Sequence, residues 1–340
     1  WERKKKLTWN PRMRLLDAAG APVDSYPGIK GSAAVSVFVA PRLFAGARRS
    51  AEQAFAAAEA GRTGSFALPG EISLSLRNAL APAQSANVIG MLRGSDPLLA
   101  GEYVVLTAHL DHLGRGTAID GDEIYNGALD NAAGISIVLE AARALAASPV
   151  PPRRSLLFIG LTAEERGLLG AYYFTAFPTV PREGIVANIN TDMPEALFPV
   201  AGMILLGEPH STLGDTARAA LAAEGLVEVP DPTPEEVSFV RSDQYPFIRA
   251  GIPAIVARPG ALSSDPAVDA KSVQRDFRLN HYHLPSDSVA LPIHWPSIAQ
   301  NAEVVARLAL AVANADARPQ WLPGDFFGKT FGAAPRAGGG

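Results

Sequence analysis

From residue 87 onward the sequence repeats a single alternation, a short apolar run followed by an amphipathic helix. "NVIGML" (87–92), "EYVVLTAHL" (102–110), "RSLLFIGLT" (154–162), "GIVANINTDM" (184–193) and "IPAIVAR" (252–258) read as strands. Between and after them, "DNAAGISIVLEAARALAA" (130–147), "AEERGLLGAYYF" (163–174), "STLGDTARAALAAEG" (211–225) and "PSIAQNAEVVARLALAVANA" (296–315) read as helices. Strands of this kind must be covered on both faces. The pattern therefore implies an α/β fold: a mixed, mostly parallel sheet sandwiched by helices. Ligands of such sheets bind beyond the carboxyl ends of the strands, so the residues that follow each strand carry the functional information.

Those residues are acidic groups and imidazoles. His109 and Asp111 end "VVLTAHLDHLG" (104–114), and Asp130 lies in "NGALDNAAG". Glu164 and Glu165 follow "LLFIGLTA", Asp192 ends "VANINTD", and His283 sits in "NHYHLPSD". Each has a plain structural reading. An Asp before a helix is usually an N-cap, paired Glu at a helix start answers the helix dipole, and a loop His is usually a surface residue. These readings are independent of one another. Their coincidence at one edge of one sheet points instead to a shared site.

The chain contains no cysteine, so a metal could be held only by His and carboxylate. Two His, three carboxylates and a bridging hydroxide would hold two divalent ions with no net charge, which suits a partly buried cleft. Glu164, beside a ligand but left over, is then placed to act as general base. Along an extended strand His109 and Asp111 share a face, so Asp111 is expected to orient the His109 imidazole. His112 is expected on the opposite face, with no metal role. A net charge of −4 leaves no footprint for nucleic acid, and the Lys4-Lys5-Lys6 run reads as a solvated stretch. No apolar run reaches the roughly 18 residues that span a bilayer.

The ordered set "AHLDHLG", "NGALDNAAG", "AEERGLLG", "NINTDM" and "YHLPSDS" resembles the M28 metallopeptidases, zinc-dependent aminopeptidases and their relatives. The resemblance spans about 87 to 315. It implies Asp130 as a bridge between two Zn2+ ions (Co2+ or Mn2+ being alternatives). One ion would be held by His109, Asp130 and Glu165, the other by Asp130, Asp192 and His283. Glu164 would be the base, and the Asp130–Asn131 peptide would be cis. The implied substrates are peptides with a free N-terminus, and family habit implies export to the cell envelope or beyond.

Residues 1–85 resemble the later part of a protease-associated (PA) domain, a β-rich segment whose upstream part would precede Trp1. Within it "SAEQAFAAAEAG" (50–61) reads as a helix, and the alternation of Ile72, Leu74 and Leu76 with polar residues reads as a half-buried strand. Residues 86–316 are then the catalytic domain and 317–340 a C-terminal tail, with "RAGGG" disordered. "RSDQYPF" (241–247) departs from the family pattern, with Gln244 where a histidine often stands; this leaves Asp243 as a supporting residue without a known partner. Tyr245 and Tyr282 are both candidate donors to a tetrahedral oxyanion. A glutaminyl-cyclase-like acyltransferase and a metal-free binding module are the rival readings; the complete set of ligand positions counts against the second.

Overall fold

A computed structural model describes residues 12–17, 19–23, 28–29, 31–33, 35–77, 79 and 81–332. Two compact units are present, one of residues 1–8 and 16–84, the other of residues 9–15 and 85–340. The first contains helices α1 (Ala40–Leu43) and α2 (Ala51–Glu59). Ser50 starts α2 with a capping box: its hydroxyl accepts the Gln53 amide and the Gln53 side chain accepts the Ser50 amide. The expected strand at 72–77 does not form, and Ile72 is exposed. An alternating run becomes a strand only beside a hydrogen-bonding neighbour, and the described residues of this unit contain no strand.

The second unit holds a seven-stranded sheet. Its strands are β1 (Val88–Leu92), β2 (Tyr103–His109), β5 (Ser155–Leu161), β6 (Ile185–Asn190), β7 (Gly202–Leu206), β8 (Val227–Glu228) and β9 (Ala254–Pro259), while β3 (Gly114–Ile119) and β4 (Asp122–Tyr125) form a separate hairpin. The order across the sheet is β1-β5-β2-β6-β9-β7-β8. The four central strands are parallel; β1 and β7 run antiparallel to their inner neighbours.

Burial on both faces follows from alternation within one strand. Val104, Leu106 and Ala108 of β2 join the core against α3 (Ala133–Ala146), α5 (Leu213–Ala223) and α8 (Trp295–Asn314). Val105 faces the other way, with Leu157, Ile159, Phe174 of α4 (Leu169–Ala176) and Phe247 of α6 (Gln244–Arg249). The mixed, mostly parallel sandwich expected from the alternation is the fold observed. The helix expected over 163–174 is interrupted: a 3-10 turn spans Glu164–Arg166, and the left-handed Gly167 and Leu168 delay α4 until Leu169. Two further helices are α7 (Ala270–Asn280) and α9 (Phe326–Phe331).

Residues 317–332 are not a free tail. Trp321 pairs with Ser211 and donates its indole N–H to the Gly251 carbonyl at 3.0 Å. His210 meets Asp325 at 2.6 Å. "RAGGG" (336–340) lies outside the described residues. Among the described residues no helix is long and apolar enough to cross a membrane.

Candidate metal centre

The ends of β5, β2 and β6 lie side by side, with His109 of β2 opposite Leu161 and Thr107 opposite Asn190. Glu164 and Glu165 follow β5, and Asp192 follows β6. Asp130 arrives on the π-turn Ala128–Ala132 that opens α3, and the Asp130–Asn131 peptide is cis. His283 follows α7.

Asp130 stands at the middle, 3% exposed. Its Oδ1 is 3.1 Å from His109 Nε2, which is also 3.2 Å from Asp192 Oδ1. Its Oδ2 is 3.2 Å from His283 Nε2, which is 3.1 Å from Glu165 Oε1. This corrects the pairing implied by the resemblance, because His109 groups with Asp192 and His283 with Glu165. Strand order is the reason. β2 lies between β5 and β6, so Glu165 and Asp192 reach Asp130 from opposite sides.

Asp111 acts differently from the expectation. His109 Nδ1 donates to the Asp111 main-chain carbonyl at 2.8 Å, so Nε2 is the nitrogen that faces the carboxylates. The Asp111 carboxylate instead takes hydrogen bonds from Thr162 Oγ1 and the Ala163 amide, both at 2.7 Å. It thereby anchors the turn that carries Glu164. The strand ends at His109, so alternation no longer dictates direction at residues 111 and 112. For the same reason His112 does not face away. Its Nδ1 is 2.9 Å from Glu165 Oε1, and its ring stands edge-on to that of His283. Gly127 (φ +66°) makes the space, since a Cβ there would meet His112 Cγ at 2.6 Å and the Asp130 carbonyl at 2.3 Å.

Two supporting residues carry no signal of their own in the sequence. Asp287 accepts the Leu129 and Asp130 amides, and Asn131 Nδ2 donates to the Thr191 carbonyl at 2.9 Å. Asp287 sits within "YHLPSDS", so its motif points to the right loop but not to the role. Ala163, Met193 and His283 all adopt left-handed backbone (φ 56°, 50° and 58°) beside or at the clustered residues. That is strain of the kind that collects at functional sites.

Electrostatics tie the cluster together. Burial acts to lower the His109 pKa, but Asp130 and Asp192 carry it well above the ordinary imidazole value. Burial likewise opposes protonation of His283, yet Asp130 and Glu165 raise it to about 9. Burial alone would raise the Glu165 carboxyl; His112 and His283 hold it below the usual carboxylate range. Glu164 is pushed well above that range, by burial and then by Asp192 and Asp243 against the opposing pull of His109. Asp243, also buried, is raised to about 7.

Gln244 has a structural role. Its carbonyl accepts from Asn190 Nδ2 at 2.9 Å and its amide donates to the Phe239 carbonyl at 2.8 Å, bracing the end of β6. Of the two tyrosines, Tyr282 lines the cleft over the cluster, against the His283 ring. Tyr245 is not among the cleft-lining residues.

The donors fit divalent metal. His109, Asp130 and Asp192 offer three atoms within 4.8 Å of one another, and so do His112, Asp130 and Glu165. Glu165 Oε1 and both His112 ring nitrogens are buried without a well-formed hydrogen bond among the described residues, a deficit that a cation relieves. Imidazole and carboxylate oxygen, with no thiolate, suit Zn, Co or Mn.

An α/β/α sandwich with a His/carboxylate cluster at its central strand ends defines a protein with a candidate metal centre at the ligand-binding edge of the sheet. Residues 87–309 match the model of Peptidase family M28, and the chain belongs to that family. It is 32% identical to Aminopeptidase NAALADL1 of Mus musculus over 151 residues, covering 43% of this chain and 18% of that protein. It is 30% identical to Leupeptin-inactivating enzyme 1 of Streptomyces exfoliatus over 234 residues, covering 66% of this chain and 48% of that one. In fold it is similar to BSAP, a zinc aminopeptidase from Bacillus subtilis (TM-score 0.50, 23% identity, 68% of this chain and 51% of that one). The chain thus spans about half or less of the length of these proteins.

Proposed function

We propose that the chain carries the catalytic body of a two-metal aminopeptidase that releases N-terminal residues from peptides, with zinc as its metal. The observation that carries this reading is the division of Asp130 between two imidazoles, Oδ1 toward His109 and Oδ2 toward His283. His109, Asp130 and Asp192 would hold one ion. His283, Asp130 and Glu165 would hold the other, with His112 alongside. When bound, such ions polarise a scissile carbonyl and make water a better nucleophile. The relatives named aminopeptidases, and the zinc in the Bacillus subtilis protein, support the choice of reaction and metal.

Glu164 faces the same cleft without joining either group of donors. It is the general base, taking the proton of the attacking water and passing it to the leaving amine. Asp111 keeps it aimed through the Thr162–Ala163 turn. Tyr282 is the oxyanion donor. Burial, followed by Asp130, Glu165, Asp192 and Glu164, pushes its pKa upward, so the hydroxyl keeps its proton and donates. Export beyond the cytoplasm is part of the same proposal, on family habit. Elemental analysis of purified protein, paired with release of amino acids from aminoacyl-nitroanilides with and without chelator, tests the reading. Two metals per chain and chelator-sensitive release are expected; metal-free protein that releases nothing would overturn it.

A further inference from the structure

The turn that carries Glu164 and Glu165 is held from a second side, by the residues that lead into β1. β1 runs antiparallel to β5, with Val88 opposite Gly160. The residues before β1 therefore lie beside the residues after β5. Asn87 uses this placement with both ends of its side-chain amide. Its Oδ1 accepts the Thr162 N–H at 3.1 Å, and its Nδ2 donates to the Gly170 carbonyl at 2.9 Å. The Gly170 N–H in turn donates to the Thr162 carbonyl at 2.9 Å. Three hydrogen bonds thus close a ring that pins Thr162 and Gly170, the two ends of the turn, together. The approach is close, since a Cβ on Gly170 would collide with the Thr162 carbonyl and with Asn87 Oδ1.

Ser85 adds a second hold. Its hydroxyl lies 2.6 Å from Thr162 Oγ1. Thr162 Oγ1 gives its one proton to Asp111 Oδ2 at 2.7 Å, so Ser85 is the donor in this pair. A chain of hydrogen bonds runs from Ser85 through Thr162 to Asp111, which closes it on the Ala163 N–H. The segment held this way does not favour its own shape. Ala163 and Leu168 carry side chains yet adopt left-handed backbone, at φ 56° and 61°. Such residues persist where their surroundings over-determine them.

We propose that Ser85 and Asn87 form a strap that aims Glu164, with Asn87 as the positioning residue of the base. The proposal rests on the peptidase reading and on Glu164 as its base. Neither Ser85 nor Asn87 is among the cleft-lining residues, so both act on the reaction through the turn alone.

Asn87→Ala removes both side-chain bonds, while Asn87→Asp keeps the acceptor for Thr162 and loses the donor to Gly170. Both are assayed on Leu-nitroanilide at saturating Zn2+, so that a weakened Glu165 does not enter the rate. The expected result is a kcat about 10- to 100-fold lower in Asn87→Ala, a smaller loss in Asn87→Asp, and a KM close to that of wild type. The decisive reading is a double-mutant cycle with Glu164→Gln. A residue that works by aiming Glu164 has nothing left to aim once the base is gone. Asn87→Ala should therefore leave the residual single-turnover rate of Glu164→Gln unchanged. Equal fold-losses in the two backgrounds overturn the proposal, and so does lower thermal stability with wild-type kcat. Near-normal turnover of Glu164→Gln alone removes the base, and the proposal with it. Where Asn87→Ala folds poorly, Ser85→Ala takes away only the outer end of the hydrogen-bond chain. Its kcat should fall about 2- to 10-fold, again only while Glu164 is present, and an unchanged kcat overturns the proposal. If wild type releases no amino acid, the peptidase reading fails instead, and hydrogen exchange decides the strap by itself. Protection of the Thr162 and Gly170 amides that is lost in Asn87→Ala or Ser85→Ala sustains the hold on the turn, and equal exchange ends it.

Discussion

Asp287 holds the main chain at Asp130: its Oδ2 accepts the Asp130 amide at 3.1 Å, and its Oδ1 accepts the neighbouring Leu129 amide at 2.9 Å. The side chain is fully buried. The residue that touches both imidazoles is therefore positioned by a carboxylate that touches neither. Asp287→Asn keeps the shape but supplies only one acceptor oxygen, leaving one N–H facing an amide donor. Metal affinity is expected to fall about 10- to 100-fold, with a stability cost of about 1–3 kcal/mol. Competition against a chromophoric chelator measures the first and thermal unfolding the second. Unchanged affinity would remove Asp287 from the support of the centre.

His112 lies against Glu165 but not against Asp192 or His109 in any close ion pair. Its loss should therefore be felt on one side of Asp130. His112→Ala is expected to weaken one of two bound ions about 10- to 100-fold and to leave the other nearly as tight. A chelator titration that follows metal release would show one early step and one unshifted step. Two steps that move together would mean that His112 only packs the site.

Glu164 belongs to neither group of donors. Glu164→Gln is nearly isosteric and should retain both ions while kcat falls by about 10²–10⁴. Metal content and single-turnover rates on the same preparation separate the two effects. Near-normal turnover would assign the base elsewhere, and lost metal would make Glu164 a ligand.

Much of this arrangement is legible in the sequence. His109, Asp130, Glu164, Glu165 and Asp192 each follow or flank an apolar strand or helix whose type the periodicity reveals, His283 follows α7, a helix that the periodicity reading does not mark, and the fold brings all six together. Their grouping around Asp130 is not legible. It depends on β2 lying between β5 and β6, and strand order is a long-range property that local pattern does not encode. Asp111 and His112 depart from their expected roles for a local reason. Two-residue alternation holds only while the backbone stays extended, and β2 stops at His109. The strand expected at 72–77 is missing for the converse reason, since its alternation is present but no described neighbour pairs with it.

Without metal, protons do part of the cations' work. His283 is carried to about 9 and His109 well above 6.5 by the carboxylates they touch, against the opposing effect of burial. An imidazole whose folded pKa is raised stabilises the fold fully below its unfolded value near 6.5. That contribution is lost as pH climbs through the folded value, here about 9 for His283. Metal binding must displace those protons, so apparent affinity should rise with pH up to about 9 and then level off. The metal-free protein should lose stability over the same interval, as the depressed carboxylates Asp130 and Glu165 lose their protonated partners. The difference in Tm between metal-loaded and chelator-stripped protein is therefore expected to widen from pH 6.5 towards 9. At a free metal concentration a hundredfold above Kd, the loaded form gains about 2.7 kcal/mol. Thermal scans across that range, paired with calorimetry in buffers of different ionisation enthalpy, measure the widening and the proton release together. A Tm difference that stays flat with pH, with no protons released, would mean that His109 and His283 do not give up protons to a metal.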